Sequence, residues 1–210
     1  MSEEFNGDQL TDPSQSVSFG DRVWVFCMQH IRVLKQLGIV LVTIALLGVI
    51  AVVAHSVSKH SREQAYINAQ LSGDIESFAR KYPNSPLAGT CFMELGNRAY
   101  GQQKFSKAKE YYHRAVNAFG YDVFGGKAEI CEGMAQIREG NIDAGENLLR
   151  NIGESKKYPG YIRGKALWSL GMNLWGRKET AKAKDLFNKL KICTYSSYWQ
   201  DRAEKILKEI

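Results

Sequence analysis

The chain has 210 residues, with 28 Lys and Arg against 22 Asp and Glu, and a formal net charge of +6. This length fits one soluble domain with an appended segment. The four cysteines (Cys27, Cys91, Cys131 and Cys193) form no CxxC pair, so the sequence indicates neither a disulfide framework nor a cysteine zinc site. Cys91 and Cys131 lie within helical patterns and are predicted to be small core residues.

The N-terminal third predicts a tail followed by a membrane helix. Residues 1–21 are polar and acidic and are predicted to be disordered. Residues 22–36 are predicted to form an amphipathic juxtamembrane segment, or else to extend the next helix. Residues 37–57 are predicted to be a transmembrane helix, because the surrounding stretch 36–58 contains no charged side chain and about 20 apolar residues cross a bilayer.

A cleaved signal peptide is the alternative interpretation of this apolar stretch. Ala54-His55-Ser56 has the small-x-small form of a cleavage site. However, 36 residues precede the span and five of them are acidic, unlike a short basic leader. The sequence therefore favours an uncleaved anchor.

The charges beside the span predict its orientation. Arg22, Arg32 and Lys35 precede it, and only Lys59 and Arg62 follow closely. The positive-inside rule and the short tail therefore place the N-terminus in the cytoplasm. The rest of the chain is then expected across a bacterial inner membrane, in the periplasm, as the soluble part of a single-pass protein.

The next residues, 58–88, are predicted to form a linking helix and a partial repeat. A helix is expected to end at Tyr82-Pro83, because the residue before a proline is biased away from the helical region. Asn84-Ser85-Pro86 is then expected to open the following helix.

Three downstream segments, 89–122, 126–159 and approximately 164–197, share a spacing of bulky and small residues. In the first, Phe92, Phe105 and Tyr112 surround Gly96 and Ala108. Over the three segments, the residues with predicted packing roles are Gly96, Ala108, Gly133, Gly145, Gly171 and Ala183.

This pattern resembles the tetratricopeptide repeat, in which two antiparallel helices cross closely at such small residues. The resemblance implies an all-α fold: an α-solenoid of about three helical hairpins over 89–195, with 196–210 as a capping helix. The extra residues between repeats are expected in loops at YDVFG (121–125) and SKKYPGYIR (155–163).

The resemblance also implies a protein-binding face. In the tetratricopeptide family, fixed positions on the first helix of each hairpin line the concave surface. The matching residues here, beside Thr90, are Met93, Asn97, Tyr100, Lys127, Ile130, Met134, Ile137, Lys165, Trp168, Met172 and Trp175. The alternative is that a neighbouring helix, either N-terminal or 196–210, already covers these side chains.

No motif in the chain predicts catalysis, a cofactor or a metal. The stretch GYDVFGGKA departs twice from a phosphate-binding loop, at Tyr121 and Ala128. The four histidines are scattered without ligand spacing. The protein is therefore predicted not to be an enzyme and to use no cofactor, metal or small-molecule substrate.

The order of tail, span and repeats resembles the membrane-anchored ancillary subunit of the bacterial Sec translocon. That resemblance implies a non-catalytic scaffold that associates with the translocon, a chaperone and unfolded clients. Two alternatives remain open: a scaffold of another envelope assembly or secretion complex, and a cytoplasm-facing tetratricopeptide adaptor. Nucleic acid is not an expected partner.

The basic excess lies late in the chain. Residues 156–191 contain ten Lys and Arg and two Asp and Glu. A solvated helical face is the simplest interpretation, and contact with anionic lipid or an acidic partner is the second.

Overall fold

The computed structural model of the chain describes residues 18–192 and 197–210, without the side chain of Ile192. Within these residues there are ten helices and no strand, which confirms the predicted all-α class. The helices are α1 (Phe19–Gln29), α2 (Ile31–Ser72), α3 (Ile75–Lys81), α4 (Pro86–Gly101), α5 (Phe105–Phe119), α6 (Val123–Glu139), α7 (Ile142–Glu154), α8 (Gly160–Gly176), α9 (Thr180–Ile192) and α10 (Ser197–Leu207).

The chain divides into two compact units, Met1–His60 and Ser61–Ile210. In the first unit, α1 ends at Gln29, and the backbone N–H of the next residue, His30, donates to the Phe26 carbonyl oxygen at 3.1 Å. The predicted tail, residues 1–21, therefore extends too far, because helix α1 begins at Phe19. Asp21 lies in the first turn of α1, where a negative charge is favoured by the helix dipole. Residues 1–17 of the predicted tail lie outside the described residues.

Helix α2 has 42 residues and is long and apolar enough to cross a membrane, judged by length and composition. None of its most apolar window is buried, whereas the core helix of a soluble protein would be mostly buried. The helix continues past the predicted span to Ser72. Gly73 follows with a φ of 77°, a left-handed conformation that glycine adopts without strain.

Helices α4 to α10 of the second unit pack each against the next in sequence. Gly96 of α4 lies against Tyr112 of α5, and Gly89, seven residues earlier, lies against Phe119, seven residues later. Because a step toward the N-terminus of α4 meets a residue nearer the C-terminus of α5, the two helices are antiparallel. In addition, α6 contacts α8 and α8 contacts α10, so alternate helices also touch.

Local capping determines where α4 begins. The Ser85 side chain accepts a hydrogen bond from the Ala88 backbone N–H at 3.1 Å, and Pro86 occupies the first helical position. Both features stabilise a helix N-terminus. The helix therefore begins three residues before the predicted start of the first repeat at Gly89.

Helices α6 and α8 also begin inside stretches that were predicted to be loops. Asp122 accepts a hydrogen bond from the Gly125 backbone N–H at 2.7 Å, and α6 starts at Val123. Only residues 120–122 separate α5 from α6. Likewise, α8 starts at Gly160, directly after Pro159, so the connection there is limited to 155–159.

Two clusters of buried side chains form the core of the second unit. Helix α6 contributes to both: Ala128 and Ala135 belong to the first cluster, and Ile130 and Ile137 belong to the second. The six residues with predicted packing roles are all buried: Gly96, Ala108, Gly133, Gly145, Gly171 and Ala183. Their small size admits neighbouring side chains, because a Cβ on Gly171 would lie 2.7 Å from the Phe187 Cε1 atom.

Candidate protein-binding groove

Two adjoining clefts lie along helix α8. The first, of about 410 Å³, is lined by Met134, Arg138, Trp168, Ser169, Met172, Asn173, Gly176 and Arg177. The second, of about 470 Å³, is lined by Trp168, Met172, Tyr198, Arg202, Lys205, Ile206 and Glu209. Trp168 and Met172 belong to both. We call the two clefts together the α8 groove, since they lie along α8 between residues of α6 and α10.

Trp168 is held in the groove by rings from two other helices. Its ring centroid lies 5.2 Å from that of Phe187 on α9 and 6.0 Å from that of Trp199 on α10. The guanidinium carbon of Arg202 lies 5.0 Å from the Trp168 centroid, within cation–π range. Trp199 is itself anchored, because its Nε1–H donates to the Tyr161 carbonyl oxygen at 2.8 Å. The tryptophan is therefore partly packed and partly available to a partner.

The rim of the groove is basic. Arg138, Arg202 and Lys205 are exposed and make no ion pair within residues 18–192 and 197–210. Arg177 is already neutralised, because it contacts Glu146 and lies 2.7 Å from a Glu179 carboxylate oxygen. Three cations without an ion pair therefore flank an apolar floor, an arrangement that favours acidic and apolar partners.

Three residues of the predicted binding face, Met134, Trp168 and Met172, line the α8 groove. Two others require correction: Ile130 and Ile137 are only 3% and 7% exposed and belong to the core. The reason is that both isoleucine side chains project from α6 into the second core cluster, where they pack with residues of α7, α8 and α9. These two isoleucines therefore stabilise the fold and present no open surface.

The other predicted face residues lie outside the two clefts. Met93 and Tyr100 pack, partly buried, against the first core cluster, and Trp175 packs against the second. Asn97 accepts a hydrogen bond from the Tyr112 hydroxyl at 2.8 Å, and so supports the α4–α5 crossing. The remaining predicted residues are the exposed Thr90 and the half-buried Lys127 and Lys165.

Sequence reasoning missed the contribution of α10, which was predicted only to be a cap. Trp199, Ala203 and Ile206 do form its buried face. The adjacent stripe of Tyr198, Arg202, Lys205 and Glu209 has helical spacing and lines the second cleft. That spacing was the available signal.

Burial raises the pKa of two titratable groups in the second unit. Burial raises the pKa of the Cys91 thiol to about 11, so the thiol stays protonated at neutral pH. Burial also raises the pKa of Glu132, although His113 Nδ1 lies 3.2 Å from its carboxylate and opposes the shift. In the part of the chain that the structure describes, no group of three or more His, Cys, Asp or Glu could hold a metal ion.

The chain matches no protein-family model, no curated protein and no solved structure. The apolar helix α2 and the α8 groove are therefore the features of the molecule that bear on its function.

Proposed function

We propose that this protein is a non-catalytic, membrane-anchored scaffold that binds segments of other proteins in the α8 groove. The observation that supports this most directly is that Trp168 and Met172 form the shared floor of two open clefts. A flat indole and a flexible thioether can contact many different apolar side chains. Such a floor suits a loosely specified protein segment.

The preferred segment combines apolar and acidic residues. Exposed Arg138 and Lys205 on the rim attract carboxylates, while the floor accepts apolar side chains. Asn173 Oδ1 and Arg177 Nε are buried in the wall of the first cleft without a hydrogen-bond partner among the described residues. An N–H group is the complement of Asn173 Oδ1, and a carbonyl oxygen is the complement of Arg177 Nε.

The proposed setting is the bacterial inner membrane. Helix α2 is the single span, the N-terminus is cytoplasmic, and the unit after Ser61 is periplasmic. Helices α4 to α9 are three tetratricopeptide-like hairpins, and α10 is their cap. In this role the protein associates with the translocon and a folding chaperone and receives emerging polypeptides. The small buried residues at the helix crossings and the charge bias beside the span support this setting.

Site-specific photo-crosslinking in intact cells tests the binding role. A photoreactive residue at Ser169 or Met172 should crosslink to translocon subunits, the chaperone or a translocating chain. The same residue at exposed Lys184 on α9, which lines neither cleft, is the matched control. Adducts of equal yield from the control position, or none to these partners from the groove, would refute the proposal.

Charge reversal then tests how the groove selects its partner. Lys205→Glu should reduce the yield of these crosslinks, because it removes one of the three rim cations that make no ion pair. Lys184→Glu carries the same charge change and should leave the yield unchanged.

Topology is tested separately: alkaline phosphatase fused after Ile210 should be active, and activity only of a cytoplasmic reporter would overturn the periplasmic assignment.

A further inference from the structure

One end of the unit Ser61–Ile210 concentrates its exposed aromatic side chains. Because successive helices are antiparallel, the connections 82–85, 120–122 and 155–159 and the start of α10 all lie at the same end. We call it the aromatic end. Within the described part of the unit, all exposed aromatic residues lie there, each between 40% and 62% exposed: Tyr121, Phe124, Tyr161 and Tyr198.

These rings are linked across the helix hairpins. The Tyr121 centroid lies 5.8 Å from that of Tyr158, which joins the α5–α6 and α7–α8 connections. The Tyr161 centroid lies 6.0 Å from that of Tyr198, which joins α8 to α10. The exposed aromatics therefore form a row along the end of the unit.

Lysines accompany the rings. Lys81 Nζ lies 5.5 Å from the Tyr82 ring centroid, and Lys157 Nζ lies 4.8 Å from that of Tyr121. A third pair joins Lys127 Nζ to the Phe124 ring at 5.4 Å. The row thus presents ammonium groups beside aromatic rings.

The two ends of the unit differ in charge. The segments at the aromatic end (80–86, 118–127, 153–165, 189–192 and 197–201) contain nine Lys and Arg and three Asp and Glu. The segments at the opposite end (72–76, 101–107, 138–144, 176–182 and 207–210) contain seven Lys and Arg and six Asp and Glu. The basic excess therefore coincides with the exposed rings.

The end of α2 contacts the start of the unit. The Tyr66 and Phe78 rings lie 5.5 Å apart, and Gly73, with a φ of 77°, connects the two helices that carry them. Glu76, at the start of α3, lines a cleft together with residues 98–102 at the end of α4, which gives α3 the opposite direction to α4.

Covalent connection then limits how far the unit lies from the membrane. The uncharged stretch 36–58 ends three residues before Ser61. Three residues reach at most about 10 Å. If α2 spans the bilayer, the entry point lies within reach of the headgroup layer.

We infer that the aromatic end lies on the anionic headgroups of the membrane that α2 crosses. Tyrosine rings favour the interface between hydrocarbon and water, and lysines beside them are attracted to lipid phosphates. This contact would fix the orientation of the α8 groove relative to the membrane. The inference rests on the proposed span, and is independent of what the groove binds.

Hydrogen exchange of the full chain in lipid nanodiscs tests this contact. The amides of residues 120–124 and 155–160 should exchange more slowly in discs of phosphatidylcholine mixed with phosphatidylglycerol than in phosphatidylcholine alone. Amides of residues 102–104 and 177–179, at the opposite end, should exchange equally in both. Each lysine near an anionic surface contributes about a fivefold effect, so Lys127→Gln/Lys156→Gln/Lys157→Gln should weaken the contact roughly 100-fold and abolish the difference.

The matched control is Lys104→Gln/Lys107→Gln/Lys178→Gln, which removes the same charge from the opposite end and should preserve the lipid-dependent slowing. Equal exchange in the two lipids would overturn the inference, as would equal loss in both triple variants. A chain that fails to assemble into nanodiscs would refute the span itself. If either of these results is obtained and crosslinking from the α8 groove persists, only the membrane contact is refuted and the binding proposal stands.

Discussion

Gly96 offers the sharpest test of how α4 and α5 pack. A Cβ at this position would lie 2.6 Å from Tyr112 Cε1 and 2.7 Å from Cδ1. The Tyr112 side chain is 3% exposed and its hydroxyl donates to Asn97 Oδ1 at 2.8 Å, so the ring cannot move without losing contacts. Overpacking costs about 1–3 kcal/mol, and replacing a helical glycine by alanine returns about 1 kcal/mol. We expect Gly96→Ala to lower the free energy of unfolding by about 1 kcal/mol.

Gly101 is the matched control, because it ends the same helix and a Cβ there meets no atom within 4 Å. Gly101→Ala should stabilise the protein by up to about 1 kcal/mol. The two variants should thus differ by about 2 kcal/mol, or roughly 4–8 °C in Tm, in urea and thermal unfolding followed by circular dichroism. Tyr112→Leu should reduce the cost of Gly96→Ala by making space. Equal stability of the two alanine variants would refute the close-packing argument.

Two further predictions concern charge and reactivity. The Lys109 ammonium donates to the Glu139 carboxylate at 2.6 Å and lowers the pKa of Glu139. The pair therefore stabilises the fold above pH 4.5, the pKa of Glu139 in the unfolded chain. This stabilisation is lost as the pH falls through the pKa of Glu139 in the folded protein. Lys109→Met should therefore cost about 0.5 kcal/mol at neutral pH and much less well below pH 4.5, and an equal cost in urea unfolding at both pH values would contradict this. Cys91 is fully buried with a pKa raised from 9.0 to about 11, so its thiolate fraction is about 100-fold lower than in the unfolded chain. Maleimide labelling followed by peptide mass spectrometry should detect Cys91 only after unfolding, and rapid labelling of the native protein would count against its buried position.

Local signals were enough to predict much of the architecture. The all-α class was predicted from the resemblance of the repeated spacing to the tetratricopeptide repeat, and the apolar helix was predicted from a long stretch without charges. Ser85 and Pro86 predicted the start of α4 because a cap is a contact between residues close in sequence. The prediction of a loop over 121–125 was wrong for residues 123–125, which form the start of α6. In α6, Gly125 and Gly126 are buried and helical, since neighbouring residues pack against their missing side chains.

The composition of the groove depended on tertiary structure. Ile130, Met134 and Ile137 recur on α6 at helical spacing, and the pattern alone could not separate them. Packing of α7 to α9 buries the two isoleucines, while Met134 stays in a cleft beside α8. The sequence by itself determined that the chain is helical, which stretch is apolar enough to cross a membrane, and which small residues lie in helical patterns. Only the tertiary structure decided which of those faces stay open, because burial depends on helices that are distant in sequence.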